Sequence, residues 1–354
     1  MLKIKKVAVA GEGKMGSSIF HYLNGFDFHL SWLCSSEDER DRARSVFSTR
    51  TRRLWKSGAI SEAEYLSKNE KTKITAAPAD LKDCDLIIEA ITEDREAKKA
   101  IFESLDVLVN SSCIFATNSS SIVPSLLFPS ESRKAKVAGL HFLYPVAMKN
   151  TVELIANPYT SQEILGSLTL FLQQINKIPF YQDESNAFVL NRILLDFQAG
   201  AFHILQEGGW SPSGLDELVR TCFFPVGVFE FFDHVGIDIM LSSIRAYTQN
   251  AENKEFYAPM MNILGTMATR NQLGMKTGHG FYDYPRKTEA LFTGDPVSEK
   301  KGPAREVVRD RLWGYYMRSI ASVMESQICS REELAGYLKD YLGTDNDPFV
   351  MTGN

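Results

Sequence analysis

The sequence predicts a doubly wound α/β domain, then an all-α C-terminal domain with a helical extension, and three observations carry that class. Short apolar, β-prone runs alternate with helical patterns up to about residue 183. A glycine motif, Gly11-Glu12-Gly13-Lys14-Met15-Gly16, stands between the first such run and the first helix. Beyond Glu184, residues Leu190, Leu194, Phe197, Ala201, Ile204 and Leu205 recur at helical spacing and strand signals become scarce. The expected division is residues 1–183, residues 184–286, and a tail of linker and helix over 287–354.

Lys5 to Ala10 is apolar without clean alternation, as a strand buried on both faces should be. After the glycine turn, Ser17 to Asn24 reads as a helix and Phe28 to Leu33 as a second strand, at the distance a βαβ unit requires. Glu37 to Ser57 is a long charged helix. Asp85 to Ala90 is the next buried strand, Glu93 to Leu108 a helix, and Cys113 to Ala116 another strand. Val137 to Phe142, Val152 to Ile155 and Ile178 to Gln182 continue the series, so the alternation predicts a parallel sheet.

Composition narrows the class. Of 354 residues, 44% are hydrophobic and 23% charged, which disfavours disordered, collagenous and disulfide-scaffold chains. The longest charge-free stretch, Val107 to Ser130, is interrupted by Asn110, Asn118, Pro124 and Pro129, so no membrane span is expected. The N-terminus enters the first strand with no secretory pattern, and a cytoplasmic location is expected. Five scattered cysteines without a CxxC pair argue against a disulfide framework or a metal site. A net charge of −5 argues against nucleic-acid binding.

In a GxGxxG motif the first glycine permits a tight turn, the second lets backbone approach a pyrophosphate, and the third allows close packing of helix on strand. The anion then meets the N–H groups of the helix N-terminus. A strand before Gly11, Gly13 and Gly16 and a helix after them is the context that gives the motif meaning, and it predicts a Rossmann-type dinucleotide site with Lys14 and Met15 inside the loop. The second strand ends in Leu33-Cys34-Ser35-Ser36 instead of the customary ribose-binding acid. Ser35, with Arg40, Arg42 and Arg44 behind it, keeps NADP open, while NAD is the expected cofactor. Between Arg40 and Lys56 there are seven basic residues and one acid, a stretch suited either to the phosphates of a second anionic ligand or to a solvated helix face.

Two segments resemble the 3-hydroxyacyl-CoA dehydrogenase family: Ala116-Thr117-Asn118-Ser119-Ser120-Ser121 and Gly139-Leu140-His141-Phe142-Leu143-Tyr144-Pro145. Glu89-Ala90-Ile91-Thr92-Glu93, Lys149-Asn150-Thr151-Val152-Glu153, Phe188-Val189-Leu190-Asn191-Arg192 and Gly274 to Tyr282 agree in order and spacing, so the resemblance covers roughly residues 5 to 285. It implies an oxidoreductase that passes hydride between a 3-hydroxyacyl-CoA and NAD in fatty-acid metabolism of the β-oxidation type.

Oxidising a secondary alcohol needs a base for the hydroxyl proton, and the reverse reaction needs an acid; histidine suits both. His141 is the candidate, with Glu153 to fix its tautomer and steady the imidazolium. The resemblance assigns Ser120 and Asn191 to the reacting oxygen and to substrate binding. It also assigns Asn118, Glu93, Lys98 and Lys276 to the cofactor, and more loosely Lys56 to coenzyme A. Alone, each of these residues has an ordinary reading, from structural histidine to surface charge.

The chain departs from the family at Tyr144, where Asn is usual, and at Asn186-Ala187, where Pro-Gly is usual. Two alternatives therefore stay open: a dehydrogenase of a free hydroxy or sugar acid, and a non-catalytic nucleotide-binding protein. An offset of 119 sets Asn191 against Asp310, Ile204 against Val323, Ser211 against Ser330 and Leu215 against Leu334, which marks the tail as a candidate truncated repeat of the helical domain. A homodimer through the helical domain is expected unless that tail caps the pairing surface.

Overall fold

A computed structural model describes residues 2–249, 253–285, 304–343 and 349. Most of the expected linker, up to residue 303, and the end of the expected repeat lie outside the described residues. The chain forms two compact units, Met1–Ala187 and Phe188–Asn354.

The first unit is built on eight strands: β1 (Lys6–Ala10), β2 (His29–Leu33), β3 (Thr72–Thr75), β4 (Leu86–Glu89), β5 (Ile114–Thr117), β6 (Val137–Phe142), β7 (Thr151–Ala156) and β8 (Ile178–Asp183). They run in the order β3-β2-β1-β4-β5-β6-β7-β8. Five helices connect them: α1 (Lys14–Leu23), α2 (Glu37–Lys56), α3 (Glu62–Lys71), α4 (Arg95–Asp106) and α5 (Gln162–Gln174). Val7, Val9, Leu86 and Ile88 pack into one apolar layer while Ala8, Ala10 and Ile87 pack into another. Both faces of these strands are covered, which is why their sequences read as unbroken apolar runs.

The sheet is mixed. β6 and β7 pair antiparallel, with His141 opposite Glu153, where the alternation predicts parallel pairing. Residues 143–150 are too few for a crossover helix, and a parallel return takes a dozen residues or more. Sequence reading also passes over α3 and β3, although Ser61 and Glu64 form a full capping box at the start of α3. β3 is a four-residue edge strand containing a lysine, too short and polar to stand out.

The second unit is helical: α6 (Val189–Glu207), α7 (Pro212–Cys222), α8 (Val228–Val235), α9 (Ile237–Thr248), α10 (Ala258–Thr269), α11 (Arg305–Glu325) and α12 (Arg331–Leu342). The segment Glu184–Glu207, which includes α6, is long and apolar enough to cross a bilayer, and a search for charge-free stretches misses it because Arg192 and Asp196 interrupt it. Its most apolar window is 67% buried, as the central helix of a packed unit should be.

Buried carboxylates hold the motif at residues 274–284. Asp233 accepts from the Phe281 and Tyr282 amides, each at 2.9 Å, and Asp216 accepts from the Tyr282 hydroxyl at 2.7 Å. A Cβ on Gly280 would fall 2.0 Å from Asp233, which fixes glycine there.

The tail helices follow the offset of 119. α7 begins after Ser211, whose hydroxyl caps Gly214, and α12 begins after Ser330, whose hydroxyl caps Glu333. α11 lies on α6, and its buried positions Val308, Leu312, Tyr316, Ser319, Ile320 and Val323 form the stripe that faces the rest of the unit.

Candidate active site

β1 and β4 are neighbours, and their connections leave on opposite sides, so the crevice at their carboxyl ends is the switch point where α/β sheets bind ligands. A cavity of about 940 Å³ opens there, lined by the glycine loop, Leu33, Cys34, Ser35, Ala90 and Ile91 among others. The three motif glycines serve different ends. A Cβ on Gly11, whose φ is +112°, would meet the Ala90 carbonyl oxygen at 2.6 Å, and one on Gly16 would meet the Gly11 carbonyl oxygen at 2.1 Å. Gly13 has nothing within 4 Å of its Cβ position, so it is bare on the side where backbone would approach a phosphate. Trp32 stacks on Phe20 and donates from Nε1 to the Gly11 carbonyl at 2.8 Å, which ties the loop to β2. The open cradle at a helix N-terminus fits a dinucleotide.

Met15 lines the cavity and packs partly on the core. The Lys14 ammonium lies 4.2 Å from the centre of the Tyr144 ring. Tyr144 and Lys14 thus connect the glycine loop with the segment that follows His141.

β5 and β6 also run parallel to β4, so His141 and the turn after Thr117 lie at the same carboxyl edge as the glycine loop. His141 Nδ1 is 2.6 Å from Glu153 Oε2, and Glu153 is fully buried. Gln182 on β8 donates from Nε2 to the other Glu153 oxygen at 2.8 Å. The sequence reading missed Gln182. Its signal is a polar residue at a buried position of β8, two residues after the buried Phe180.

Ser120 sits in a turn gathered around Glu93. Glu93 Oε1 accepts from the Ser119 hydroxyl at 2.6 Å, from the Ser120 and Ser121 amides at 3.0 Å each, and from the Ser121 hydroxyl at 2.8 Å. Beneath it Lys98, 1% exposed, places its ammonium 2.7 Å from Glu89 and 3.3 Å from Glu93. Burial pushes the Glu93 carboxyl up, but the Lys98 charge and the serine hydroxyls outweigh it and leave the group below its ordinary range. Burial raises Glu89, against the pull of Lys98, Thr117 and the Ile91 amide. Among the candidate cofactor contacts, Lys98 and Glu93 are thus committed to one another and to the serine turn. Asn118 is similarly occupied, since its Oδ1 accepts from the Phe142 amide at 2.9 Å. That bond fixes the serine turn to the strand bearing His141.

The remaining candidates are carried by other elements. Asn191 is in the first turn of α6, where its Nδ2 donates to the Tyr247 hydroxyl at 2.6 Å. Lys276 pairs with Asp238 at 2.5 Å in the helical unit. Lys56 lies on α2, where it lines a separate hollow of about 490 Å³ with Arg52, Arg53 and Ser48.

A glycine-loop cradle and a histidine backed by a buried carboxylate, at one edge of a doubly wound sheet, define a nicotinamide-dependent dehydrogenase of secondary alcohols. Residues 6–185 match the 3-hydroxyacyl-CoA dehydrogenase NAD binding domain, and residues 188–284 match the C-terminal domain of the same family. The chain belongs to the 3-hydroxyacyl-CoA dehydrogenase family, as an NAD-dependent oxidoreductase. It is 34% identical to the 3-hydroxybutyryl-CoA dehydrogenase of Clostridioides difficile, over 79% of this chain and 99% of that one. The crystal structure of (S)-3-hydroxybutyryl-CoA dehydrogenase from Ralstonia eutropha has a TM-score of 0.72 at 30% identity, and the match covers 80% of this chain and all of that one. That of 3-hydroxybutyryl-CoA dehydrogenase from Escherichia coli has a TM-score of 0.81 at 18% identity, over 99% of this chain and 91% of that one, and so shares the fold through the tail.

Proposed function

We propose that His141 is the acid–base group that interconverts an (S)-3-hydroxyacyl-CoA and the 3-oxoacyl-CoA, and that short acyl chains are the substrates. The single observation that carries the reading is His141 held at 2.6 Å by a fully buried Glu153 at the edge where the glycine loop opens. NAD, when bound, takes up or returns the hydride. His141 Nε2 removes the hydroxyl proton in oxidation and delivers it in reduction, while Glu153 keeps Nδ1 protonated and offsets the imidazolium charge. Ser120 donates to the reacting oxygen and orients it, and the family resemblance implies the same role for Asn191. The names of the C. difficile and R. eutropha relatives support a four-carbon acyl group. Arg52, Arg53 and Lys56 take the coenzyme A phosphates.

The test is reduction of acetoacetyl-CoA by NADH, followed at 340 nm in the wild type and in His141→Ala. The variant should lose turnover and keep its NADH affinity. Charge reversal at Arg52 and Arg53 should raise KM for the thioester. A free sugar acid reduced in preference to the thioester would overturn the substrate assignment, and absence of turnover with any 3-oxoacyl-CoA would favour a non-catalytic role. Five cysteines without a disulfide are in keeping with a reducing, cytoplasmic setting.

For assembly, we propose that the tail takes the place of a second chain. The contacts of α6 with α11 are reciprocal under the offset of 119. Gly200 packs against Tyr315, the counterpart of Asp196, and Asp196 accepts from Ser319, the counterpart of Gly200, at 3.0 Å. Phe197 meets its own counterpart Tyr316, ring centres 6.2 Å apart. Such reciprocity is the mark of a two-fold interface, here within one chain.

A further inference from the structure

The sequence left a gap at the end of β2, where Cys34-Ser35-Ser36 stands in place of the acid that binds the adenosine ribose. The structure brings a carboxylate to that place from another direction. Glu12, inside the glycine loop, reaches across to β2. Its Oε2 accepts from the Ser35 amide at 3.2 Å and its Oε1 accepts from the Ser35 hydroxyl. Both residues line the dinucleotide cavity.

We propose that Glu12 is the specificity-determining residue for the cofactor. Its carboxylate, anchored on Ser35, accepts hydrogen bonds from the adenosine ribose hydroxyls and repels a 2′-phosphate, so the cavity selects NAD over NADP.

The arginines that would welcome a 2′-phosphate are turned to other work. Arg40 pairs with Glu37 and with Asp41 at 2.7 Å. Arg42 pairs with Glu39 at 2.5 Å, and Arg44 donates to the Ile74 carbonyl at 3.2 Å. None of the three lines the cavity. Lys14 does line it, but its ammonium is drawn to Tyr144, just past the end of β6. β6 is four places from β2 in the sheet, about 19 Å at the usual strand spacing. The field at the end of β2 is accordingly negative. The Cys34 thiol there is pushed up to about 11, first by burial and then by Glu12 and Glu39, against a smaller opposing effect of Arg40.

This assignment rests on the dinucleotide reading of the glycine loop, and binding measurements separate the two. Dissociation constants for NADH and NADPH, from cofactor fluorescence, should be compared in the full-length wild type, Glu12→Gln and Glu12→Asp. Inhibitor constants for 5′-AMP and 2′,5′-ADP isolate the 2′-phosphate. The wild type should bind NADH more tightly than NADPH. Glu12→Gln should shrink that ratio about tenfold, with NADPH binding gained and NADH binding weakened, a difference near 1.4 kcal/mol. Glu12→Asp should keep discriminating against NADPH. An unchanged ratio in Glu12→Gln, or equal weakening of both cofactors, would overturn the role of Glu12 and leave the dinucleotide site standing. Failure of the wild type to bind either dinucleotide would overturn both.

Discussion

Gln182 donates to Glu153 from the neighbouring strand at 2.8 Å, so both oxygens of a fully buried carboxylate are engaged, one by the amide and one by His141. A carboxylate so held turns little, and it presents a fixed acceptor to the imidazole. Glu153→Gln removes the charge that steadies the imidazolium and should lower kcat about 100-fold or more, within the range general acid–base groups supply. Gln182→Leu leaves the charge and removes its second anchor, and should lower kcat by roughly tenfold or less. Steady-state kinetics should show little change in KM for either variant. Equal losses in kcat and in thermal stability for Gln182→Leu would assign that residue to the fold alone.

The glycine loop separates folding from binding. Gly16→Ala forces a methyl into the Gly11 carbonyl at 2.1 Å and should cost about 1–3 kcal/mol of stability, seen as a lowered urea midpoint. Gly13 has φ −62° and open space at its Cβ position, so Gly13→Ala should fold normally. The added methyl nevertheless stands where the pyrophosphate approaches, and the Kd for NADH should rise about tenfold or more. The two substitutions distinguish a glycine the fold requires from one the ligand requires.

Glu93 gives a pH dependence of known sign. Its carboxyl lies below the ordinary range in the folded protein, so the unfolded chain takes up the proton first. Its contribution to stability is complete above the ordinary glutamate value of about 4.3 and declines as pH falls toward the depressed folded value. Urea unfolding of the wild type should therefore lose stability as pH falls below about 5 more steeply than Glu93→Gln does, and the two curves should converge at the acid end. The variant should also reduce acetoacetyl-CoA more slowly at neutral pH, because the turn holding Ser120 is then gathered by a neutral amide oxygen in place of a charged carboxylate.

Legibility followed the range of the interactions. β1 with its glycine turn, β4 and β6 could be read locally, because burial on both faces leaves apolar runs and a tight turn demands glycine. His141 and Glu153 stood out through the spacing of a recognised motif. What the sequence hid is set by pairings between distant segments. The antiparallel β6–β7 ladder follows from a short connection, and Gln182 acquires meaning only when β8 lies beside β7. Glu12 is only a variable position of the glycine motif until Ser35, 23 residues away, is placed against it. Lys98 is a candidate cofactor contact through its motif position alone, and its burial between Glu89 and Glu93 depends on the fold.

The tail turns excess length into a prediction about mass. If α11 stands in for the helix of a second chain, the whole protein should be a monomer of 39.8 kDa in solution, by light scattering after size-exclusion chromatography. Removing residues 286–354 would uncover α6, whose Phe197 is fully buried in the intact chain, and the shortened protein should pair through that face or aggregate. A gentler variant keeps the full length. Gly200→Ala sets a methyl 2.2 Å from the Tyr315 ring and should loosen α11 at a cost of about 1–3 kcal/mol. Arg311, which clasps Glu207 through two bonds of 2.7 Å, should then no longer hold the helix alone, since a partly exposed ion pair contributes at most about 1 kcal/mol. Hydrogen exchange should show α11 opening before α6 in that variant, and dimer formation should rise with protein concentration. A wild-type dimer with α6 protected equally in both variants would place the pairing surface elsewhere.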